Sequence, residues 1–326
     1  MPLPRALERI AGIQMQYAPS AYIGLWSRLE GFERATLDRA LERGTVVQAT
    51  LMRATIHLVS RADYWPMRIA IEEPLREWWF RATKRHDERA ALRRIDRRAA
   101  SILRDGPMRR SALLEALGAD ASAWAGVGMW TPLVRVPPSG TWSSRRADRY
   151  GLAEARVGPR PSIGVSEARA HLVHRYLAAF GPASRSDVRS FTGLPLRAID
   201  DALSAIATRT FTSDTGEPLI DVRGTPLPDG GTPAPVRFLP TWDASLLAHA
   251  RRTQILPERH RQRIFGIKTP FSFPTFLVDG RVAGIWRERD GRIELEPFDP
   301  LPPAVRAELE VEGERLAALH AEPALG

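Results

Sequence analysis

Along the first half of the chain, apolar side chains recur mostly at helical spacing. Tyr22, Leu25, Trp26 and Leu29 fall at i, i+3, i+4 and i+7, predicting a helix with one buried face. Ser20 is placed to cap its N-terminus, and Pro19 biases Ala18 away from helix. Leu37 and Leu41 mark a short helix that Gly44 ends. Over residues 51–59 the period changes to two. Met52, Ala54, Ile56 and Leu58 form an apolar face, while Arg53, Thr55 and His57 share the other, as in a half-buried strand. A charged helix follows, with Leu92, Ile95, Ala99, Ile102 and Leu103 as its apolar positions; Gly106-Pro107 breaks it and Ser111 opens the next. Val173, Tyr176, Leu177 and Phe180 repeat the helical spacing later. After residue 235 the texture becomes β-like. Short runs at 275–278, 281–287 and 292–297 are divided by Asp279-Gly280 and Asp290-Gly291, both hairpin signals, and a last helix spans 303 to about 320.

Two stretches repeat. Gly106-Pro107-Met108-Arg109-Arg110-Ser111 matches Gly181-Pro182-Ala183-Ser184-Arg185-Ser186, each after an amphipathic helix. That spacing is too long for a solenoid unit and fits two tandem small domains, with residues 1–85 a diverged third copy. Residues 1–85 read as helices followed by strands, which is the winged-helix order. The expected class is therefore α+β, mainly α with small β wings. Three winged-helix domains (1–85, 86–160 and 161–234) precede a β-rich C-terminal domain (235–326). Residues 225–235, rich in Pro and Gly, read as linker or exposed loop.

Composition prunes the functions available. The chain has 326 residues and no cysteine, which excludes disulfides, thiolate metal sites, iron–sulfur clusters and cysteine nucleophiles. No P-loop, His-Glu-x-x-His, Gly-x-Ser-x-Gly or Rossmann fingerprint is present, so no nucleotide or other cofactor is expected. His171 and His174 share a helix face without a third ligand nearby in sequence, and no metal site is expected. The chain lacks a signal-peptide pattern and any apolar run long enough to span a membrane; a cytoplasmic monomer is the working expectation. The net charge of +9 favours a polyanionic partner. All but two of the 47 basic side chains are arginine, whose planar fork suits phosphate.

Gln14 and Gln16 flank one apolar residue just before the first strong helix. In an extended segment, residues i and i+2 share a side, so two amides can aim at one point. The surrounding Gly12-Ile13-Gln14-Met15-Gln16 and Ala21-Tyr22-Ile23-Gly24-Leu25-Trp26-Ser27-Arg28-Leu29 resemble the glutamine-x-glutamine motif of the AlkZ/YcaQ-type winged-helix DNA glycosylases. The resemblance continues in order through Thr50-Leu51-Met52-Arg53-Ala54-Thr55-Ile56-His57-Leu58-Val59 and Arg135-Val136-Pro137-Pro138-Ser139-Gly140-Thr141-Trp142. It extends through Phe180-Gly181-Pro182-Ala183, Leu239-Pro240-Thr241-Trp242-Asp243 and residues 278–287. Family members carry a further helix before the glutamines, whereas only thirteen residues precede Gln14, so the first domain is expected to be trimmed or its start shifted.

The resemblance implies a monofunctional glycosylase that hydrolyses the N-glycosidic bond of N7-alkylated purines in double-stranded DNA, interstrand crosslinks included. Gln14 and Gln16 would hold the attacking water. Such a base leaves already cationic, so no strong acid is needed. No lysine beside the motif suggests a Schiff base, and no lyase step is expected. Asp243 is the competing catalyst, though a helix cap is the ordinary role for an Asp placed before Ala244-Ser245-Leu246-Leu247. Arg53, Thr55 and His57 are candidates to line a nucleotide pocket. Trp142, Arg145 and Arg146 suit a basic, aromatic wing, and Arg281 and Arg287 share one face of a cationic hairpin. A non-catalytic winged-helix DNA-binding regulator has the same charge and element order, and remains the alternative.

Overall fold

A computed structural model of the chain describes residues 1–84, 89–119, 123–265 and 272–323. It is α+β, mainly helical with small antiparallel sheets, as the apolar pattern implies. The chain opens with helix α1 (Leu3–Arg9), a two-residue strand β1 (Ile13–Gln14), α2 (Ala18–Trp26) and α3 (Arg34–Glu42). Strands β2 (Val46–Thr50) and β3 (Ile56–Ser60) follow, then a long helix, α4 (Arg61–Thr83). The next stretch holds α5 (Arg89–Ile102), β4 (Met108–Arg109), α6 (Arg110–Leu117), α7 (Trp124–Trp130), β5 (Leu133–Arg135), β6 (Arg149–Leu152) and α8 (Ala153–Val157).

These strands form one six-stranded sheet, in the order β1-β3-β2-β5-β6-β4. Strands from 1–85 and 86–160 meet where Ala49 pairs with Val134, so the two segments share a sheet. The third segment contains α9 (Val165–Phe180), α10 (Arg185–Thr192) and α11 (Leu196–Ser204), then the hairpin β7 (Thr208–Thr212) and β8 (Pro218–Val222). The C-terminal region has β9 (Arg237–Leu239), short α12 (Ala244–Leu247) and α13 (Arg261–Ile264), β10 (Thr275–Val278), β11 (Arg281–Arg289), β12 (Arg292–Pro297) and α14 (Pro303–Ala321). Its four strands pair in the order β12-β11-β10-β9. Asp279-Gly280 and Asp290-Gly291 turn these hairpins with positive φ at both residues, as the sequence predicts.

Three sequence expectations change. The run 51–59 is not one strand. Arg53 (φ 56°) and Ala54 (φ 57°) adopt left-handed backbone, and Leu51 N donates to Thr55 O across a tight turn between β2 and β3. Arg53, Thr55 and His57 therefore do not share one strand face. Helix α2 starts at Ala18, with Tyr17 at the cap position and Pro in the first turn, so Ser20 lies inside it. Finally, α4 runs through a stretch that follows the expected strand without any anticipated helix. Pro66 and Pro74 lie inside it, and Ser60 caps it by accepting from Asp63 N at 3.1 Å. Prolines signal helix breaks in isolation, but here burial of Tyr64, Trp65, Met67, Ile71, Trp79 and Phe80 holds the helix.

Two cores result. One gathers β2, β3, α4, α9 and α10; Phe80 and Trp130 cross edge to face at 5.2 Å, and Tyr176 meets Phe191 at 4.9 Å. The other joins the N-terminal helices to the C-terminal sheet, through Leu7, Met15, Tyr22, Phe238, Phe276, Trp286 and Leu316. Ile13 and Met15 belong to this second core.

Gly284 shows how closely the C-terminal sheet packs. A Cβ there would lie 2.4 Å from Phe276 Cζ and 2.5 Å from the Glu296 carbonyl. Phe276 is fully buried and cannot swing away. Gly284→Ala is therefore expected to cost about 1–3 kcal/mol, read as a lower midpoint in urea or thermal unfolding; an unchanged midpoint would show the strand has slack.

Candidate active site

The site begins with alternation over four residues. Ile13 and Met15 point into the core at 3% and 0% exposure, which turns Gln14 and Gln16 to the other side. Gln14 pairs with His57 across β1 and β3, and the ladder continues as Met15 N donates to Ile56 O at 2.7 Å. Both amides are held by the same neighbouring segment. Arg53 Nη2 donates to Gln14 Oε1 at 3.0 Å, and Ile56 N donates to Gln16 Oε1 at 3.2 Å. Each partner can only donate, so both amides are oriented oxygen-inward. Each oxygen keeps a second lone pair, and each NH2 group remains a donor on the opposite edge. Gln14 is buried and Gln16 exposed.

Arg53 makes this arrangement possible. Its left-handed backbone sends the side chain toward Gln14, while Nη1 donates to Phe191 O at 2.7 Å and the guanidinium lies 4.9 Å over the Phe191 ring. It therefore ties β1 to the end of α10. Burial, helped by the nearby charge of Arg252, pushes its pKa down to about 10, which leaves it cationic at neutral pH. Burial, with the Arg53 charge second, pushes His57 down to about 3. His57 is 1% exposed, and its Nδ1 lies 3.1 Å from Thr55 O; the carbonyl can only accept, so the neutral ring carries its proton on Nδ1. A neutral, buried His57 offers no charge to phosphate. Thr55 Oγ1 donates to Met52 O at 3.1 Å and braces the turn.

Gln16 also forms part of a cavity of about 340 Å³ between the six-stranded sheet and α7, whose walls include Trp124, Tyr150 and Arg110. A second cavity, about 350 Å³, brings together Tyr17, Arg145 and Arg287. There Arg145 Nη1 donates to Tyr17 Oη at 2.9 Å. A larger cavity of about 620 Å³ opens beside Asp187 and His249, but none of the sequence-predicted site residues lines it. Asp187 there is occupied in a capping box with Ser184 at the start of α10.

The other sequence candidates are dispersed. Asp243 is 2% exposed, caps α12 by accepting from Ser245 N at 2.9 Å, and takes a two-pronged ion pair from Arg28 at 2.7 and 2.9 Å. Its carboxylate is thus engaged in structure. Trp142 packs edge to face on Tyr22 at 5.6 Å and His320 at 4.9 Å, with Arg34 over its ring at 4.7 Å. Arg146 and Arg281 are exposed, as is Arg287, which pairs with Glu296 at 3.5 Å. His171 Nε2 bonds Asp63 at 2.8 Å. Sequence reasoning missed Arg28, Gln48, Arg110, Trp124 and Tyr150. Of these only Gln48, a polar residue inside the apolar strand Val46-Val47-Gln48-Ala49, carried a local signal.

Compared with known proteins, the chain matches a family model described as "DNA glycosylase AlkZ-like" over residues 7–319. Among solved structures it is similar to Streptomyces sahachiroi DNA glycosylase AlkZ, with 20% identity and a TM-score of 0.80. That alignment covers 98% of this chain and 91% of the other, and at this identity it speaks for the fold. No curated protein sequence matches.

The buried His57 gives a pH dependence with a definite sign. Its folded pKa lies below the ordinary 6.5, so the unfolded chain binds a proton that the folded chain refuses. Its contribution is fully present above about pH 6.5 and is lost as pH falls toward 3, at most about 1.4 kcal/mol per pH unit. Denaturant titrations of wild type and His57→Asn should show a stability difference that narrows across this window. A pH-independent difference would mean that His57 protonates freely.

Proposed function

The chain belongs to the AlkZ-like DNA glycosylase family, and from that premise we propose that it hydrolyses the N-glycosidic bond of N7-alkylated purines through Gln14 and Gln16. It is an enzyme, a DNA glycosylase acting in DNA repair, and DNA is its substrate; the reading as a non-catalytic regulator is set aside. Among the described residues no helix is long and apolar enough to cross a membrane.

One observation carries the proposal: two amides on one side of an extended segment, each pinned through its oxygen by a donor from residues 53–56. An amide is too weak a base to deprotonate water. Its value lies in position, since a water held in line with C1′ is spared the entropy of finding that geometry. The second lone pairs of Gln14 and Gln16 accept from that water, and their NH2 groups donate to sugar or phosphate oxygens. An N7-alkylated purine leaves as a neutral base from a cationic one, so no acid is required. Unmodified purines lack this driving force and are poor substrates. The product is an abasic site, with no lyase step. The same chemistry applies to each glycosidic bond of an interstrand crosslink joined through N7 positions.

The three segments 1–85, 86–160 and 161–234 are proposed as winged-helix units, and 235–326 as the β-rich unit that completes the molecule. Support comes from the third, where α9, α10 and α11 lead into the β7–β8 hairpin. Arg145, Arg146, Arg281 and Arg287 are exposed and supply phosphate contacts along the DNA. Arg53 acts through Gln14 as a positioning residue. Asp243, spent on Arg28 and the α12 cap, is proposed as structural.

Duplex DNA containing 7-methylguanine, incubated with the protein and treated with alkali, should break at the lesion. Gln14→Ala/Gln16→Ala should lower the single-turnover rate about 100-fold or more while still binding the duplex. Equal rates would remove the glutamines from the mechanism. Duplex affinity of the wild type should also fall linearly on a log–log plot against salt, with a slope set by the number of phosphates neutralised; a flat response would exclude the exposed arginines as the DNA contacts.

A further inference from the structure

Arg53 is supplied with acceptors, but the cation beside it is not. Arg252 lies in the loop after α12 and is half-buried. A chain of contacts sets its place against the site. Tyr176 Oη donates to Ala248 O at 2.8 Å, the Tyr176 ring packs on Phe191 at 4.9 Å, and the Arg53 guanidinium lies 4.9 Å over that same Phe191 ring. Arg252 is close enough for its charge to oppose that of Arg53.

Among the described residues the Arg252 side chain has no ion pair and donates no hydrogen bond. Its guanidinium lies 4.9 Å over the Phe265 ring, a face that attracts a cation but leaves its N–H groups without an acceptor. Nε is sealed from solvent and can serve no ligand; the terminal Nη1 and Nη2 are not sealed and form the open edge. The charges around it are largely cationic. Burial, then the charge of Arg261, lowers the Arg252 pKa, and Arg261 itself reaches Glu258 at 3.4 Å. The acids closest in sequence contact are engaged elsewhere: Asp187 accepts from Ala250 N at 2.7 Å and from Ser184 Oγ at 2.8 Å, and Glu217 lies 4.0 Å from Arg251. A half-buried cation with cationic neighbours and no acceptor is costly when left alone. An anion placed among such arginines reverses the sign, and the arginine fork matches the oxygens of a phosphate.

We propose that Arg252, through its terminal nitrogens, grips a DNA phosphate adjoining the damaged nucleotide and so holds that nucleotide against Gln14 and Gln16. Arg53 is committed to Phe191 O and Gln14 Oε1, which leaves Arg252 to meet the phosphate. The repulsion among Arg53, Arg252 and Arg261 is relieved only when the anion arrives. Stability is thereby sacrificed in the free protein for attraction in the complex. The inference rests on the glycosylase reading of Gln14 and Gln16 for which nucleotide lies there. The phosphate contact is a separate property, measurable by binding without any hydrolysis.

The test measures binding of the full chain to a duplex with one 7-methylguanine, in which single uncharged methylphosphonate linkages are placed in turn around the lesion. Arg252→Gln is expected to bind about tenfold more weakly than wild type, and its log–log salt slope should be smaller by about one. A methylphosphonate next to the lesion should weaken wild type and leave Arg252→Gln unaffected, because the contact it removes is already gone. Arg252→Gln should also melt at or above wild type, since it deletes a cation without a partner. Arg252→Lys keeps the charge and should keep the wild-type slope, which decides the matter if Arg252→Gln does not fold. Equal slopes for wild type and Arg252→Gln, a slope lost in Arg252→Lys as well, or methylphosphonate losses identical in both proteins at every position overturn the proposal. So does a coupled position more than one linkage from the lesion. A coupled phosphate without release of 7-methylguanine by wild type would indict the glutamine mechanism and leave the phosphate contact standing.

Discussion

The bond from Arg53 to Gln14 is the constraint on which the site turns. It requires a cation to be carried into a largely buried position, and that burial is tolerated because both terminal nitrogens find oxygen acceptors and the plane finds the Phe191 ring. Removing either acceptor would leave a buried charge without compensation, which is far costlier than losing a surface ion pair. The same side chain joins the strand that carries the glutamines to the end of α10. The proposed reacting groups are therefore held by a contact between the first and third segments of the chain.

Beyond this bond, the sequence candidates divide into groups that are neutral or paired and arginines that remain exposed. His57 stays uncharged because burial and Arg53 both oppose its protonation. Asp243 is neutralised by Arg28 at 2.7 Å. Cations that remain exposed, such as Arg145 and Arg287, lie by Tyr17, next in sequence to Gln16. This division suits a hydrolase of DNA: exposed arginines are available to phosphate, and the amides proposed to hold the water, Gln14 and Gln16, carry no charge of their own.

Legibility varied along the chain for reasons visible in particular residues. The C-terminal hairpins were readable because Asp279-Gly280 and Asp290-Gly291 encode their turns locally, and few other residue pairs adopt two successive positive φ angles without strain. Helix α4 was hidden. Pro66 and Pro74 weigh against it in any local account, and only burial of its large apolar side chains against α7 and α9 outweighs them. The apparent strand over 51–59 was a similar trap: its period of two runs on through Met52 and Ala54, where the backbone reverses.

By itself the sequence determined the α+β class, the β-rich end, the net positive charge and the pair Gln14 and Gln16, because each of these depends on residues close in sequence. Ile13 and Met15 bury, so the glutamines face the other way; alternation alone implies as much once the segment is extended. Tertiary structure decided which partners those glutamines meet. Arg53 reaches Gln14 from 39 residues away and Phe191 from 138, and Arg28 finds Asp243 across 215. Likewise the cavity wall of Gln48, Arg110, Trp124 and Tyr150 exists only where residues of the first segment and of the second close on each other. Local spacing constrains which side of an element a residue occupies; what lies opposite depends on long-range packing, in which no single contact has a signature in the chain.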